Sequence, residues 1–221
     1  MTVELVVCDI AGTTVQEHGA VYAALEQAVT ATGAETTRED VARWMGADKH
    51  EAIRALIGGE PAAETVSSAH EDFRARLQAA YAERPPEPFA GVPELFASLR
   101  AAGVRLALTT GFERAIAEPL LASVGWDDGT LDALVCADEV AAGRPAPYMI
   151  FRAMERCGVH RTDRIAVAGD TVLDLRAGTN SGAAVVAGVL TGEVGAETLG
   201  AERHTHLLPS VADLPSALEG L

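Results

Sequence analysis

The sequence is poor in basic residues. It has 17 lysine and arginine residues against 32 aspartate and glutamate residues, and its formal net charge is -15. Nucleic acids and anionic membranes are bound through basic patches. We therefore expect neither of them as a partner of this chain. Lysine is the scarcest basic residue, because Lys49 is the only one and all the other cationic side chains are arginines.

Cysteine and long apolar runs are also scarce. Cys8, Cys136 and Cys157 form an odd set without metal-ligand spacing, which indicates buried thiols in a reducing compartment. No apolar run approaches the length that spans a bilayer. The first residues, MTVELVVCDI, lack the basic segment, apolar stretch and cleavage site of a secretory signal. We therefore expect a cytoplasmic protein.

Short apolar segments alternate with helical segments along most of the chain. Five of them have the β-branched composition of buried parallel strands. These are VELVVCD, VRLALT, ALVCA, RIAVAGD and AAVVAGVL. The alternation predicts an α/β fold with a doubly wound parallel sheet and helices on both of its faces. Ligands of such sheets bind beyond the carboxyl ends of the strands.

The first strand is separated from the others by an insertion. Residues 15–88 contain only helical patterns, and the proline-rich linker RPPEPFAG (Arg84 to Gly91) follows the last of them. The sequence therefore predicts two domains. Residues 1–14 and 89–221 would form the α/β core, and residues 15–88 an all-helical domain inserted into it.

Aspartates follow two of the predicted strands. Asp9 ends the first, Asp170 ends RIAVAGD, and Asp174 lies one helical turn later, so all three can face one crevice. Converging carboxylates repel each other unless a proton or a cation compensates them. Mg²⁺ prefers oxygen ligands and keeps open positions for water and phosphate. The sequence therefore predicts a magnesium site at this edge of the sheet.

Groups suited to binding an anion accompany these carboxylates. Thr109, Thr110 and Gly111 end the strand VRLALT with hydroxyls and free N–H groups, and Arg144 offers a cation before a helix. A nucleophile, a metal site, hydrogen-bond donors and a positive clamp are the parts that phosphoryl transfer requires.

The single lysine has two interpretations. It can be a chance residue in a composition that favours arginine, or it can be used because lysine, unlike arginine, can lose its proton and form an imine. Asp48 and Glu51 match a capping box that places Lys49 in the first turn of a helix. The helix dipole and a dry site would lower the pKa of Lys49, whereas Asp48 would oppose this, so we treat a lowered pKa as a hypothesis.

Four segments resemble the motifs of the haloacid dehalogenase superfamily, and more narrowly those of its phosphonoacetaldehyde hydrolase branch. They are DIAGTT, LTTG, GRPAP and GDTVLD. Most phosphatases of the superfamily have a second aspartate where this chain has Ala11, and a lysine where it has Arg144; both differences are features of that branch. The segment MGADKHEAIRAL is similar to the family segment that carries an imine-forming lysine.

The resemblance implies a Rossmannoid core with a helical cap, Mg²⁺ as cofactor, a small phosphonate as substrate and a homodimer. It implies that Asp9 is the nucleophile and that Lys49 forms an imine with the substrate. The implied metal ligands are Asp9, the backbone carbonyl of Ala11 and Asp170, with Asp174 supporting through water. The residues implied to contact the substrate are Met45, Gly46, Thr109 or Thr110, Gly111 and Arg144.

The chain departs from the family around the implied imine. Ala52, Ala20 and Phe112 stand where the family tends to have histidine, cysteine and tyrosine, so a 2-oxoalkylphosphonate other than phosphonoacetaldehyde is a possible substrate. Two further functions stay open at this point. One is a Mg²⁺-dependent phosphatase acting on a phosphate ester, against which the missing acid at Ala11 argues. The other is a catalytically silent sensor on the same fold.

Overall fold

A computed structural model describes residues 3–126 and 129–218. Its strands are β1 (Leu5–Asp9), β2 (Val15–Gln16), β3 (Glu87–Pro88), β4 (Arg105–Thr110), β5 (Ala133–Cys136), β6 (Ile165–Gly169), β7 (Val185–Val189) and β8 (His206–Leu208). Six of them form one parallel sheet in the order β5-β4-β1-β6-β7-β8. The predicted α/β fold class is confirmed, and β8 is a sixth strand that the sequence pattern does not predict.

The helices fall into two groups along the chain. Those between β2 and β3 are α1 (Ala20–Ala31), α2 (Arg38–Arg43), α3 (Lys49–Ile57) and α4 (Ala63–Glu83). Those after β3 are α5 (Val92–Ala101), α6 (Arg114–Ser123), α7 (Tyr148–Cys157), α8 (Val172–Ser181), α9 (Ala196–Gly200) and α10 (Leu214–Leu218). No helix among residues 3–126 and 129–218 is both long and apolar enough to cross a membrane.

The central strand β1 shows why the sheet is covered on both faces. All five of its residues are buried, and successive side chains of a strand point to opposite faces. Val6 and Cys8 pack into one apolar cluster, whereas Leu5 and Val7 pack into another on the opposite face. A run without polar alternation is therefore what a strand between two layers of helices requires. Cys8 is fully buried there, as its position in the strand predicts.

The helices α1 to α4 pack on one another and are joined to the core by a small ribbon. In it, β2 and β3 pair antiparallel, with Val15 opposite Pro88 and Gln16 opposite Glu87. The sequence pattern predicts only helices within residues 15–88, so the pairing of these two short strands is a departure from it. The apolar cluster on the Val6 face continues without interruption into the inserted helices, where Phe73 is fully buried.

Candidate active site

A cavity of about 190 Å³ lies at the carboxyl edge of the sheet, against the inserted helices. It receives side chains from the ends of β1 and β4, from the turn after β6 and from the start of α3. The predicted site residues that line it are Asp9, Ala11, Met45, Gly46, Lys49, Thr110, Gly111 and Asp170. The other predicted residues, Thr109, Arg144 and Asp174, do not line this cavity. Arg144 and Asp174 contact residues that do, and Thr109 contacts Arg144.

Asp9 occupies the last position of β1 and is 6% exposed. Burial raises the pKa of Asp9 to about 7, with Arg144 working to lower it and Asp174 adding to the rise. Arg144 Nη1 lies 2.6 Å from Asp9 Oδ1. The carboxylate is therefore poorly solvated and is fixed in place by one guanidinium.

Arg144 is buried behind the cavity wall, does not line the cavity, and contacts several site residues at once. Its Nε lies 2.9 Å from Asp174 Oδ1, and its Nη2 donates to Thr109 Oγ1 at 2.7 Å and to the Thr109 carbonyl at 3.0 Å. Burial works to lower the pKa of Arg144, but Asp174 and Asp9 outweigh it and the pKa is raised. The planar fork of arginine suits several fixed acceptors. In this arrangement Arg144 orients the carboxylates and does not face the cavity.

The two threonines at the end of β4 differ in what their hydroxyls contact. The Thr109 hydroxyl accepts the hydrogen bond from Arg144. The Thr110 hydroxyl accepts one from the Phe112 backbone N–H at 3.1 Å, and Thr110 lines the cavity. Thr110 is therefore the threonine of this pair that can contact a ligand there.

Asp170 is held tightly by the loops around it. The Thr13 hydroxyl donates to its Oδ1 at 2.8 Å. A Cβ added at Gly12 or at Gly192 would lie 2.5 Å or 1.9 Å from its Oδ2, so only glycine fits at these positions. Burial, Asp9 and Asp174 together raise the pKa of Asp170.

Asp174 has a structural role as well as a place near the carboxylates. The residue Thr171 caps α8, and the backbone N–H and hydroxyl of Thr171 both donate to Asp174 Oδ2. This is a capping box. Because its other oxygen contacts Arg144, Asp174 links the start of α8 to the arginine that orients Asp9.

The donor set fits a magnesium ion. Asp9, Asp170 and Asp174 are each at most 6% exposed, and the buried cation Arg144 contacts Asp9 and Asp174. Burial is the main cause that raises the pKa values of Asp9 and Asp170, and the neighbouring carboxylates add to the rise. A hard divalent cation with oxygen ligands would relieve this repulsion. Asp9, Asp170 and the Ala11 carbonyl are the groups of the cavity wall that could hold such an ion.

Lys49 begins α3, and its amine belongs to the same cavity. The Asp48 side chain accepts from the Glu51 N–H at 2.9 Å, which is the N-cap half of the predicted capping box. Lys49 is 4% exposed. Its Nζ donates to the Ala47 carbonyl at 3.1 Å and lies 5.5 Å from the centre of the Phe112 ring.

The pKa of Lys49 is lowered to about 8. Burial is the main cause; Asp9 and Asp48 oppose it, and the nearby charge of Arg144 contributes to the lowering. The direction agrees with the hypothesis drawn from the sequence. The dry environment therefore outweighs the neighbouring carboxylates, and about one tenth of the amine is neutral at pH 7.

Two glycines allow the loop before α3 to lie in close contact with the core. Gly46 has a φ of 84°, and a Cβ there would lie 2.6 Å from Thr171 Oγ1. A Cβ at Gly111 would lie 2.2 Å from the Ala47 carbonyl oxygen. The loop before α3 therefore approaches the core closely at Gly46, and this brings Met45 into the cavity wall.

Glu17 and Tyr22 also line the cavity, although no motif identifies them. Glu17 accepts from the Val21 N–H at 2.7 Å, and burial raises its pKa. The Tyr22 hydroxyl is buried without a hydrogen-bond partner among the described residues. In the sequence, Tyr22 belongs to the apolar pattern of α1 and cannot be told from a core residue. Glu17 and Tyr22 therefore add polar atoms to this region. Phe112 and the fully buried Ala52 add none.

A parallel sheet with aspartates at its carboxyl edge and helices inserted after its first strand defines a class of α/β hydrolases. A family model for haloacid dehalogenase-like hydrolases matches residues 3–182, and the chain belongs to this family. Among curated relatives, phosphonoacetaldehyde hydrolase from Bacillus cereus is 33% identical over 211 residues, which span 87% of this chain and 77% of that protein. The family resemblance noted in the sequence is therefore confirmed.

Solved structures share the fold of this chain. A phosphonoacetaldehyde hydrolase-like protein from Oleispira antarctica aligns with a TM-score of 0.85 and 22% identity, over 99% of this chain and 92% of that one. A predicted phosphoglycolate phosphatase from Haemophilus somnus aligns with a TM-score of 0.75 and 17% identity, over 99% of both chains. Because proteins described by different activities share the fold, the side chains of the site have to decide between functions.

Proposed function

We propose that this hydrolase cleaves the carbon–phosphorus bond of phosphonoacetaldehyde or of a related 2-oxoalkylphosphonate. The observation that carries the proposal is the buried Lys49 amine in the wall of the cavity that Asp9 also lines. The identity to phosphonoacetaldehyde hydrolase supports it. The small phosphonate substrate, the homodimer and the Mg²⁺ dependence implied by the resemblance belong to the same proposal.

Cleavage of a carbon–phosphorus bond has a leaving-group problem that a buried amine can solve. The carbon would depart as a carbanion, and Ala11 offers no acid to protonate it. An imine on the adjacent carbon accepts the electron pair on its nitrogen, so that the leaving group becomes an enamine. The lowered pKa of Lys49, about 8, favours the neutral amine that must attack the aldehyde.

The proposed reaction begins when Lys49 Nζ attacks the aldehyde carbon and water leaves, which gives a protonated imine. An Asp9 oxygen then attacks phosphorus while the carbon–phosphorus bond breaks and its electrons move to the imine nitrogen. Water cleaves the aspartyl-phosphate to phosphate. Protonation of the enamine carbon and addition of a second water release acetaldehyde and regenerate Lys49. For the whole cycle, one phosphonoacetaldehyde and one water give one acetaldehyde and one phosphate.

The remaining residues bind and orient in this scheme. Thr110 and Gly111 offer a hydroxyl and a backbone N–H to the phosphonate, and Arg144 holds Asp9 in the position from which it attacks. Asp9, Asp170 and the Ala11 carbonyl would hold Mg²⁺, with Asp174 supporting through water. When bound, Mg²⁺ supplies charge neutralisation between these carboxylates and the anionic substrate.

Borohydride trapping tests the proposal directly. With phosphonoacetaldehyde and Mg²⁺, we expect release of phosphate and acetaldehyde; with borohydride added, we expect inactivation and a covalent label on Lys49. The matched control is Lys49→Arg, which keeps a cation but cannot form an imine, so it should be neither labelled nor active. Turnover of phosphate esters without labelling would instead support a phosphatase, and no turnover of any phosphorus compound would support a silent sensor.

A further inference from the structure

A second group of potential metal ligands lies outside the catalytic cavity. It consists of His50 on α3, His70 on α4 and Glu113, the residue before α6. Their ligand atoms all lie within 4.8 Å of one another. We propose that these three residues form a binding site for a transition-metal ion, of the Zn²⁺ type, that joins the inserted helices to the core.

The ligand chemistry separates this site from the aspartates. Two imidazoles and one carboxylate are a ligand set that Zn²⁺ accepts, with a fourth position left for water. Mg²⁺ selects oxygen ligands and would not compete well for it. The rings of His50 and His70 stack face to face with their centres 3.8 Å apart and an angle of 23°, so the exposed His50 ring would have to rotate for both imidazoles to bind one ion through their in-plane nitrogens.

One ligand of this group is exposed to solvent, and the other two offer buried atoms. His50 is exposed and gives an ion a route from solvent, whereas His70 is only 4% exposed. Glu113 Oε1 is buried and accepts no hydrogen bond from a described residue. Arg74 Nη1 lies 3.2 Å from this oxygen. A metal ion would have to displace this guanidinium or bind beside it. The carboxylate thus has a charge partner but no committed hydrogen bond.

A metal ion bound at this position would restrain the inserted helices relative to the core. His50 follows Lys49 directly in α3, and Glu113 follows Phe112, whose ring faces the Lys49 amine. An ion held by both sides would fix α3 and α4 to the loop before α6. Closure and reopening of a cap limit turnover in many enzymes. We therefore expect Zn²⁺ at this site to slow turnover by holding the inserted helices against the core.

Calorimetric titration of the full chain with Zn²⁺, in saturating Mg²⁺, tests the site. We expect His50→Ala and Glu113→Gln each to weaken one Zn²⁺ binding event by at least about tenfold. His70→Ala should do the same, but because His70 is buried, the other two variants decide if it does not fold. Arg74→Gln is the matched control, because it removes the charge partner of Glu113 and no ligand. It should bind Zn²⁺ as tightly as the parent or more tightly. His160→Ala, an exposed histidine elsewhere, should change nothing.

Two results would overturn the proposal. If none of the cluster variants changes the titration, Zn²⁺ binds only at the catalytic aspartates or nowhere. If the histidine variants weaken binding and Glu113→Gln does not, the ion binds to the inserted helices alone, and the link to the core is wrong.

Discussion

The lowered pKa of Lys49 makes the rate of imine formation a probe of whether the cavity is dry. The pKa falls from an ordinary value of 10.5 to about 8. At pH 7, a difference of 2.5 units gives roughly 300-fold more neutral amine than an exposed lysine would have. Only the neutral amine attacks the aldehyde. The rate should therefore rise with pH and level off above a midpoint near 8.

Trapping with borohydride at a series of pH values measures this midpoint. Asp48→Asn is the informative companion, because Asp48 raises the pKa of Lys49 and asparagine still caps a helix. Its midpoint should lie below that of the parent protein. The midpoint near 8 applies without Mg²⁺; bound Mg²⁺ should move it lower, since the ion compensates the carboxylates that stabilise the ammonium. A midpoint near 10.5 would refute the reasoning, because it would mean that solvent reaches the amine.

Three further predictions concern other parts of the cavity. Asp9→Asn should abolish phosphate release but keep borohydride labelling of Lys49, since imine formation does not need the nucleophile; loss of labelling would show that the two groups are not independent. Gly46→Ala should lower the free energy of unfolding in urea by about 1–2 kcal/mol, because its φ of 84° is unfavourable for alanine, and should lower turnover by displacing the loop; an unchanged variant would contradict the close approach. Tyr22→Phe should leave the free energy of unfolding unchanged or raise it, because a buried hydroxyl with no partner among the described residues contributes no hydrogen bond that the substitution would remove. Its kcat/KM for the phosphonate should fall if the hydroxyl contacts substrate, and an unchanged kcat/KM would exclude that contact.

The parts of the fold that could be predicted are those with a local signal. A strand buried on both faces is encoded by an unbroken apolar run, and β1 has that pattern with both faces covered. The N-cap that places Lys49 in the first turn of α3 involves residues three positions apart. Such contacts are specified within a few residues, so sequence spacing predicts them.

Contacts between distant segments could not be predicted in this way. The ribbon of β2 and β3 has two residues in each strand, too few for any periodicity. The sequence predicts that Arg144 lies near the carboxylates. It does not predict that the Arg144 guanidinium contacts Thr109 and points away from the cavity. His50, His70 and Glu113 lie on separate elements, and no spacing rule connects them. Their proximity is a product of packing between the helices and the core.

Arg144 offers the sharpest test of how the site is organised. Its three nitrogens contact Asp9, Asp174 and Thr109 at once, and Arg144 works against burial by lowering the pKa of Asp9. Most phosphatases of the superfamily have a lysine at this position, and Arg144→Lys keeps the charge but loses the planar fork. We expect kcat to fall and the acid limb of the pH–rate profile to move to higher pH, because Asp9 must be ionised to attack. Thr109→Val removes one acceptor only and should give a smaller change in the same direction. Because Arg144→Lys adds a second amine beside the cavity, mass spectrometry must also locate the borohydride label, which we expect on Lys49 alone. An unchanged acid limb in Arg144→Lys would mean that Asp9 is oriented by another group.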